Sequence, residues 1–101
     1  MALALRRFLA PFSRPRLRVL YSRPSGDFAV QDGHVARLRR GPGARFEVET
    51  SSPSETAHRC RIWVSATQPT LLMLRGEKVV AIAIGCLPLR EIEQLIAHSL
   101  G

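Results

Sequence analysis

The sequence predicts a small α/β domain in which a mixed sheet carries helices on both faces. The predicted order of elements is β-α-β-α-β-β-α. Two apolar runs, Thr70–Leu74 and Lys78–Ile84, flank a tight turn at Arg75-Gly76-Glu77 and predict a β-hairpin. An amphipathic pattern from Pro88 to Leu100 predicts a closing helix. The chain has 101 residues, of which 46% are hydrophobic, which suits one small globular domain.

Residues 1–15 are predicted to form a basic N-terminal segment that precedes a domain at 16–101. Prolines 11 and 15 interrupt any regular structure in this segment. Its apolar residues are able to share one face of a short helix; they are Leu3, Leu5, Phe8 and Leu9. Too few of them are consecutive for a secretory signal.

The first predicted unit of the domain is a strand, a helix and a second strand. Arg16–Tyr21 alternates charged and bulky residues before it becomes apolar, as a half-buried strand does. Pro24-Ser25-Gly26 predicts a turn, and Phe28–Arg40 a helix with cations in its last turn. Gly33 is expected to weaken or kink that helix. Gly41-Pro42-Gly43 ends it.

The second half begins with a strand at Arg45–Thr50, where polar and apolar residues alternate. Ser52-Pro53 predicts the start of a helix, because serine caps helices and proline suits the first helical position. That helix is expected to end at Ile62 or Trp63. The Val79–Ile84 run is wholly apolar, which is typical of a strand buried on both faces. The last helix is expected to bury Leu89, Ile92, Leu95 and Ile96.

The charge is concentrated in the first half of the chain. Residues 1–45 contain ten arginines and two aspartates, whereas residues 46–101 contain five basic and six acidic residues. The formal net charge is +7, which favours acidic partners over basic ones. Nucleic acid is not favoured as the partner, because the aromatic residues are assigned to the core or to the N-terminal segment and leave no stacking platform. A solvated basic surface is the alternative interpretation.

No apolar run is long enough to span a membrane, so we expect a soluble protein. Two cysteines do not make a disulfide framework, and free thiols favour the reducing cytoplasm. Mitochondrial import is the alternative, because the first 26 residues contain six arginines and no acid, as transit peptides do.

Part of the second half of the chain resembles the C-terminal half of the thioredoxin family. The resemblance lies in Gln68-Pro69-Thr70 and in the run that follows it, Leu71-Leu72-Met73-Leu74-Arg75-Gly76-Glu77-Lys78-Val79-Val80. The resemblance extends without gaps from Arg16 to Gly101. It implies a thioredoxin-like fold in which Pro69 is cis and borders a substrate groove. In the same register Gly85 falls on a glycine that lines the groove, and Trp63 falls on the aromatic residue that ends the preceding helix.

The catalytic motif of thioredoxins is missing from the same alignment. Its Trp-Cys-Gly-Pro-Cys falls on Pro24-Ser25-Gly26-Asp27-Phe28, where only the glycine is retained. Ser25 replaces the nucleophilic cysteine, Phe28 replaces the resolving cysteine, and Val19 replaces a buried aspartate. Dithiol exchange requires a thiolate and a second thiol. The resemblance therefore implies a redox-inactive protein rather than an enzyme.

The remaining reactive side chains predict no cofactor. Cys86 follows Gly85, so a lone thiol at the groove is an alternative redox centre, whereas Cys60 is expected to pack in the fold. His58 and Cys60 have no second pair of ligands, so no metal site is expected. Asp27 and Asp32 show no spacing that indicates an acid–base pair.

The sequence therefore predicts a recognition protein, an adaptor or maturation chaperone, that binds an extended peptide or a protein client, with an acidic client favoured. Thioredoxin grooves bind such segments through backbone hydrogen bonds. The candidate groove comprises Ser25, Gly26, Trp63, Gln68, Pro69, Gly85 and Cys86. The alternatives are a single-thiol redox protein acting through Cys86 and a basic subunit associated with nucleic acid or with a larger complex.

Overall fold

A computed structural model describes residues 16–41 and 45–101, and the predictions for residues 1–15 lie outside these ranges. The elements, in chain order, are β1 (Leu17–Ser22), α1 (Ala29–Arg39), β2 (Phe46–Ser51), α2 (Pro53–Cys60), β3 (Thr70–Arg75), β4 (Lys78–Ile84) and α3 (Leu89–Leu100). This order confirms the predicted one, with most boundaries within one residue.

The four strands form one mixed sheet in the order β2-β1-β3-β4. β1 runs parallel to β2 and antiparallel to β3, and Val19 lies opposite Val48 on one side and Met73 on the other. β3 and β4 form the predicted hairpin, with one irregularity after Met73. The strands β1 and β3 are therefore central, and β2 and β4 are the two edges.

Local interactions and backbone conformation explain where α2 begins and ends. Ser52 caps α2, because its Oγ accepts a hydrogen bond from the Glu55 amide at 3.2 Å. α2 ends at Cys60, earlier than predicted, because Arg61 adopts a left-handed backbone with φ of 55°. α1 runs from Ala29 to Arg39 and continues through Gly33, and the expected weakening or kink at Gly33 stays a prediction.

One face of the sheet, called face A, is covered by two helices. Its central residues are fully or almost fully buried; they are Leu17, Val19, Tyr21, Leu71 and Met73. α1 packs Val35 and Leu38 against this face, and α3 packs Ile92 and Ile96 against it. Burial of these side chains is the main source of the fold's stability.

The opposite face, called face B, has a smaller core. Leu20, Leu72 and Leu74 are buried there, with Cys60 and Ile62 from the end of α2 packed against them. Helices thus lie on both faces, which confirms the predicted architecture. Within the described ranges, α2 is the helix that covers face B.

The prediction that β4 is buried on both faces is wrong. Val80, Ile82 and Ile84 remain 43%, 47% and 54% exposed. The register places Ile82 opposite Leu72 and Ile84 opposite Thr70, so both side chains lie on face B. β4 is an edge strand, and α2 packs over the neighbouring core of β1 and β3 rather than over these residues.

None of the helices in the described residues is long and apolar enough to cross a membrane.

Candidate functional site

The loop after β1 and the residues before β3 meet at one end of the sheet. Ser22, the last residue of β1, lies opposite Thr70, the first residue of β3. The Pro69 carbonyl accepts a hydrogen bond of 2.7 Å from the Gly85 amide, which joins the start of β3 to the end of β4. Gly85 has a φ of +89°, a conformation that favours glycine. Most of the predicted groove residues therefore gather at this end of the sheet.

Pro69 does not have the expected cis peptide bond, because no peptide bond in the described chain is cis. A trans bond is the ordinary state of an X–Pro pair, and the resemblance on which the cis prediction rested does not alter that preference. Pro69 is also buried. The segment before it is held by Ser65, whose Oγ accepts hydrogen bonds from the amides of Thr67 and Gln68 at 3.2 and 3.0 Å.

Arg23 holds the loop between β1 and α1. Its guanidinium binds both carboxylate oxygens of Asp32, with Nε–Oδ1 and Nη2–Oδ2 distances of 2.8 and 2.9 Å. The same group donates to the carbonyls of Pro24 and Gly26, each at 3.0 Å. It also lies 5.7 Å from the centre of the Phe28 ring. One side chain therefore fixes both the backbone of the loop and its connection to α1.

Asp32 has a structural role, because its carboxylate accepts hydrogen bonds from Arg23 and Tyr21. Hydrogen bonds from Arg23 lower the pKa of Asp32, and a 2.8 Å bond from the Tyr21 hydroxyl lowers it further, against the opposing effect of burial. Burial raises the pKa of Tyr21, and so does its bond to the Asp32 carboxylate. An ionised carboxylate that already accepts these bonds is a poor general base.

The roles of Arg23 and Asp32 were not predicted from the sequence. Asp32 was considered only as an acid–base partner of Asp27, and that pairing was rejected. The rarity of acidic residues was a usable signal for an ion pair with arginine. Asp27 and Asp32 are the only acidic residues in a half of the chain that contains ten arginines. Asp27 instead accepts a 3.2 Å hydrogen bond from the Ala29 amide at the start of α1.

The two cysteines are free and lie in different surroundings. Cys86 is exposed, directly after Gly85. Cys60 is half-buried at the end of α2, and burial raises the pKa of its thiol, although the charge of Arg18 opposes the shift. A raised pKa makes Cys60 a weak nucleophile. Cys86 is therefore the accessible thiol at this end of the sheet.

Two large apolar side chains, Trp63 and Ile84, are exposed to solvent. Trp63 is 80% exposed on the connection between α2 and β3, and Ile84 is 54% exposed at the end of β4. Gln68, Ser25 and Gly26 are also exposed. The strand pairing connects Pro69, Gly85 and the loop at Ser25, whereas Trp63 is connected to them only through the segment that leads to Gln68. Large aromatic side chains in water are typical of binding surfaces.

Three buried polar side chains near this end have no hydrogen-bond partner among the described residues. They are Ser22 and Thr70, opposite each other on face B, and Gln31 in the first turn of α1. Gln31 and Ser22 are completely buried, and Thr70 is 2% exposed. Sequence periodicity did not single them out, because each occupies a regular strand or helix position. Such groups are costly to bury unpaired and are commonly satisfied by ordered water.

A pocket of about 380 Å³ lies at the opposite end of the sheet, away from the predicted groove. Its lining includes Arg18, Arg59 and Arg61. Glu49 accepts hydrogen bonds from Arg18 at 3.0 Å and from Arg59 at 2.8 Å, so much of the positive charge is already paired. Within the described chain, no group of three or more histidine, cysteine or acidic side chains is arranged to hold a metal ion.

Comparisons with known proteins identify the fold. The chain is similar to a solved structure of thioredoxin-2 from the malaria parasite, a component of that parasite's protein secretion machinery. The two share 17% sequence identity over 84% of each chain, with a TM-score of 0.65. No family model matches the sequence. No curated protein matches it either. The structural similarity shows that this chain has a thioredoxin-like fold.

Proposed function

We propose that this protein is a redox-inactive thioredoxin-like binding module, an adaptor or maturation chaperone that holds an extended peptide or protein segment beside Pro69. The observation that carries the proposal is the loop after β1. Where the motif of a thioredoxin places two thiols, this loop presents Ser25 and Phe28, fixed by the Arg23 guanidinium. A hydroxyl and a phenyl ring cannot exchange disulfides.

The surroundings of the loop support recognition. Trp63 and Ile84 offer apolar area to a partner, while Gln68 and Ser25 offer polar groups. Gly85 carries no side chain, and the space that a Cβ would occupy there is open, which leaves room for a peptide backbone to approach. A loop that is already rigid loses less conformational entropy when a partner binds. These features favour a preformed binding surface over a reactive centre at this end of the sheet.

The charge distribution supports an acidic client. The formal net charge of +7 attracts acidic segments over basic ones and accelerates their encounter with the protein. Free thiols in both cysteines suit the cytoplasm as the compartment.

Peptide binding at the groove is tested with an array of extended peptides that vary in acidic and apolar content. Affinities of the positive peptides are then measured by fluorescence anisotropy. Trp63→Ala is expected to weaken binding by about tenfold or more, because exposed tryptophans are common binding hot spots. Val30→Ala is the matched control, since Val30 is 69% exposed on α1 and lies outside the groove. Equal losses in both variants, or no binding peptide at all, would overturn the proposal.

Redox inactivity is tested by insulin reduction with dithiothreitol as the electron donor. The protein is expected to give the rate of the Cys86→Ser variant, which equals the rate without protein. Turnover by the unsubstituted chain that is absent from Cys86→Ser would identify a catalytic thiol and contradict the redox-inactive interpretation.

The exposure of Cys86 supports a second candidate function, a single-thiol protein that forms mixed disulfides. Incubation with oxidised glutathione followed by intact-mass measurement tests it. Modification at Cys86 that is much faster than for a free cysteine would favour this function. Modification at the rate of an ordinary exposed thiol would leave peptide binding as the better explanation.

A further inference from the structure

The pocket on face B lies beside the turn that joins β3 to β4, at the end of the sheet remote from the predicted groove. Its volume of about 380 Å³ lies within the range of pockets that hold small molecules. β1 contributes Arg18, and β3 contributes Leu74, which lies directly opposite Arg18 in the sheet. The end of α2 contributes Arg59, Cys60 and Arg61. A strand and a helix end therefore bring three arginines together around one small pocket.

Glu49 fixes two of these guanidinium groups. Its Oε1 accepts a 3.0 Å hydrogen bond from Arg18 Nε, and its Oε2 accepts a 2.8 Å bond from Arg59 Nη1. Each guanidinium has more N–H donors than Glu49 engages. The side chains of Arg18 and Arg59 are 30% and 41% exposed, so a ligand in the pocket can reach them. Glu49 therefore orients two sets of donors before any ligand binds.

Arg61 differs from the other two arginines in its backbone and in its pairing. Its φ of 55° is the only positive value at a non-glycine residue in the described chain. This conformation is strained for an L-residue, and glycine or asparagine is the usual residue where a helix ends in it. No ion pair or side-chain hydrogen bond within the described ranges engages Arg61. Strain that a glycine would relieve is typical of functional sites, and here it accompanies an unpaired guanidinium.

The dipole of α2 accounts for only part of this arrangement. A cation near the end of a helix complements the partial negative charge there, and Arg59 in the last turn of α2 fits that role. The dipole does not account for Arg18, which comes from a strand, or for the left-handed backbone of Arg61. Glu49 and the lining residue Glu77 offset two of the three positive charges, so a formal excess of one positive charge remains.

We propose that this pocket binds a small molecule through one oxyanion group, a phosphate or a carboxylate, held by Arg18, Arg59 and Arg61. Guanidinium groups match both kinds of oxyanion, because their planar N–H donors pair with two oxygens at once. The small excess of positive charge suits a single anionic group rather than a polyanion. Leu74 and the half-buried Cys60 provide an apolar wall for the body of the ligand. The pocket is separate from the predicted groove, so this proposal does not depend on peptide binding there.

Titrations of the full chain, followed by the chemical shifts of its backbone amides, test the site. The probes are inorganic phosphate, phenyl phosphate and benzoate, and sodium chloride keeps the ionic strength constant. Saturable shifts at the amides of Cys60 and Gly76 are expected in the millimolar range. Tighter binding of phenyl phosphate or of benzoate identifies phosphate or carboxylate, respectively, as the group that the arginines hold. A single-stranded oligonucleotide is titrated in the same way.

Arg61→Gly separates a binding role from a structural one. Glycine suits the left-handed backbone, so this variant is expected to fold and to have a folding equilibrium constant about threefold or more higher. Its affinity for the best probe is expected to be about fivefold or more lower, because one charged set of donors is lost. Arg37→Gln is the matched control, since it removes the charge of an exposed arginine on α1 outside the pocket. It is expected to keep the affinity of the unsubstituted protein.

Saturable shifts that Arg61→Gly weakens and Arg37→Gln leaves unchanged support the proposal. Equal weakening in both variants would overturn it, because only the overall charge of the protein would then matter. Titrations in which none of the three small probes gives saturable shifts would also overturn it. Pocket shifts produced by the oligonucleotide alone would do the same, and would identify nucleic acid as the partner of this surface.

Discussion

The two faces of the sheet use the same strands differently. On face A, Tyr21 and Met73 lie beneath two helices, and the core extends to both edges. On face B the core is limited to the area near α2, and the residues of β4 remain in contact with water. Alternation along a single strand thus places Ala83 in the core and Ile82 and Ile84 outside it. Face A provides most of the stability, and face B leaves apolar side chains of β4 exposed.

The polar groups near the candidate site also differ between the faces. On face A, the Tyr21 hydroxyl is bonded to Asp32, which is in turn bonded to Arg23. On face B, the hydroxyls of Ser22 and Thr70 lack partners among the described residues. The network on face A stiffens the loop at Ser25, whereas the face B hydroxyls retain unused hydrogen-bonding capacity. One end of the sheet therefore has a rigid loop on face A and unpaired hydroxyls on face B.

The largest expected effect compares two neighbouring leucines of β3 that point to opposite faces. Leu71 and Leu72 are both 0% exposed. Leu71→Ala is expected to lower the free energy of unfolding by about 3–5 kcal/mol, because the surrounding face A core cannot collapse into the cavity. Leu72→Ala is expected to cost about 2–3 kcal/mol, because the thinner cover of face B can relax. Urea denaturation measures both, and equal or reversed costs would contradict the difference between the faces.

The next effect concerns α2, the helix that covers the core of face B. Ser52→Ala is expected to cost about 1 kcal/mol, since it removes the cap on the Glu55 amide. Ser25→Ala serves as the control because Ser25 is exposed and lies outside the helices. Chemical denaturation of the two variants gives the comparison. A Ser52→Ala cost no larger than that of Ser25→Ala would show that the cap does not limit the stability of face B.

A smaller effect depends on pH and probes the network on face A. The lowered pKa of Asp32 means that its ionised form stabilises the fold at pH values above the unfolded value, about 4. This contribution is lost as the pH falls through the lower pKa of the folded state. Asp32→Asn removes the contribution, which we expect to be under about 1 kcal/mol for a partly exposed ion pair.

Stability is measured for both proteins from pH 7 down to pH 2. The advantage of the unsubstituted protein over Asp32→Asn should be present at pH 7 and shrink below about pH 4. An advantage that does not change with pH would show that the carboxylate charge is not its source.

The strands were predictable because they depend on local patterns. Alternation at Arg45–Thr50 and the apolar runs that flank Gly76 located β2, β3 and β4 within a residue. The exposure of β4 was not predictable in the same way, because an apolar run does not reveal whether a helix lies on each side of it. Burial of Ile82 depends on the topology of the sheet and on the position of α2, which are properties of the whole fold.

The sequence indicated segments that meet at the candidate site but not the contacts that hold them. The alignment placed a loop at Ser25, and the structure has a loop there, between β1 and α1. It did not reveal that Arg23 binds Asp32, because that contact depends on how the loop turns back onto α1. It also favoured a cis bond before Pro69, where the structure has a trans bond. Patterns that repeat along the chain were therefore more informative than single contacts between distant residues.

The smallest expected effect compares the same substitution on β4 and on α3. Ile92 is 0% exposed on face A and Ile82 is 47% exposed on face B. Ile92→Val is expected to cost about 1 kcal/mol, and Ile82→Val less, because fewer neighbours lose contact with the deleted methyl group. Urea denaturation of the two variants measures both costs, and we expect the Ile82→Val cost to lie below about 0.5 kcal/mol. An Ile82→Val cost equal to that of Ile92→Val would contradict the difference between the faces, because it would mean that the exposed side chain of Ile82 loses as many contacts as the buried one of Ile92.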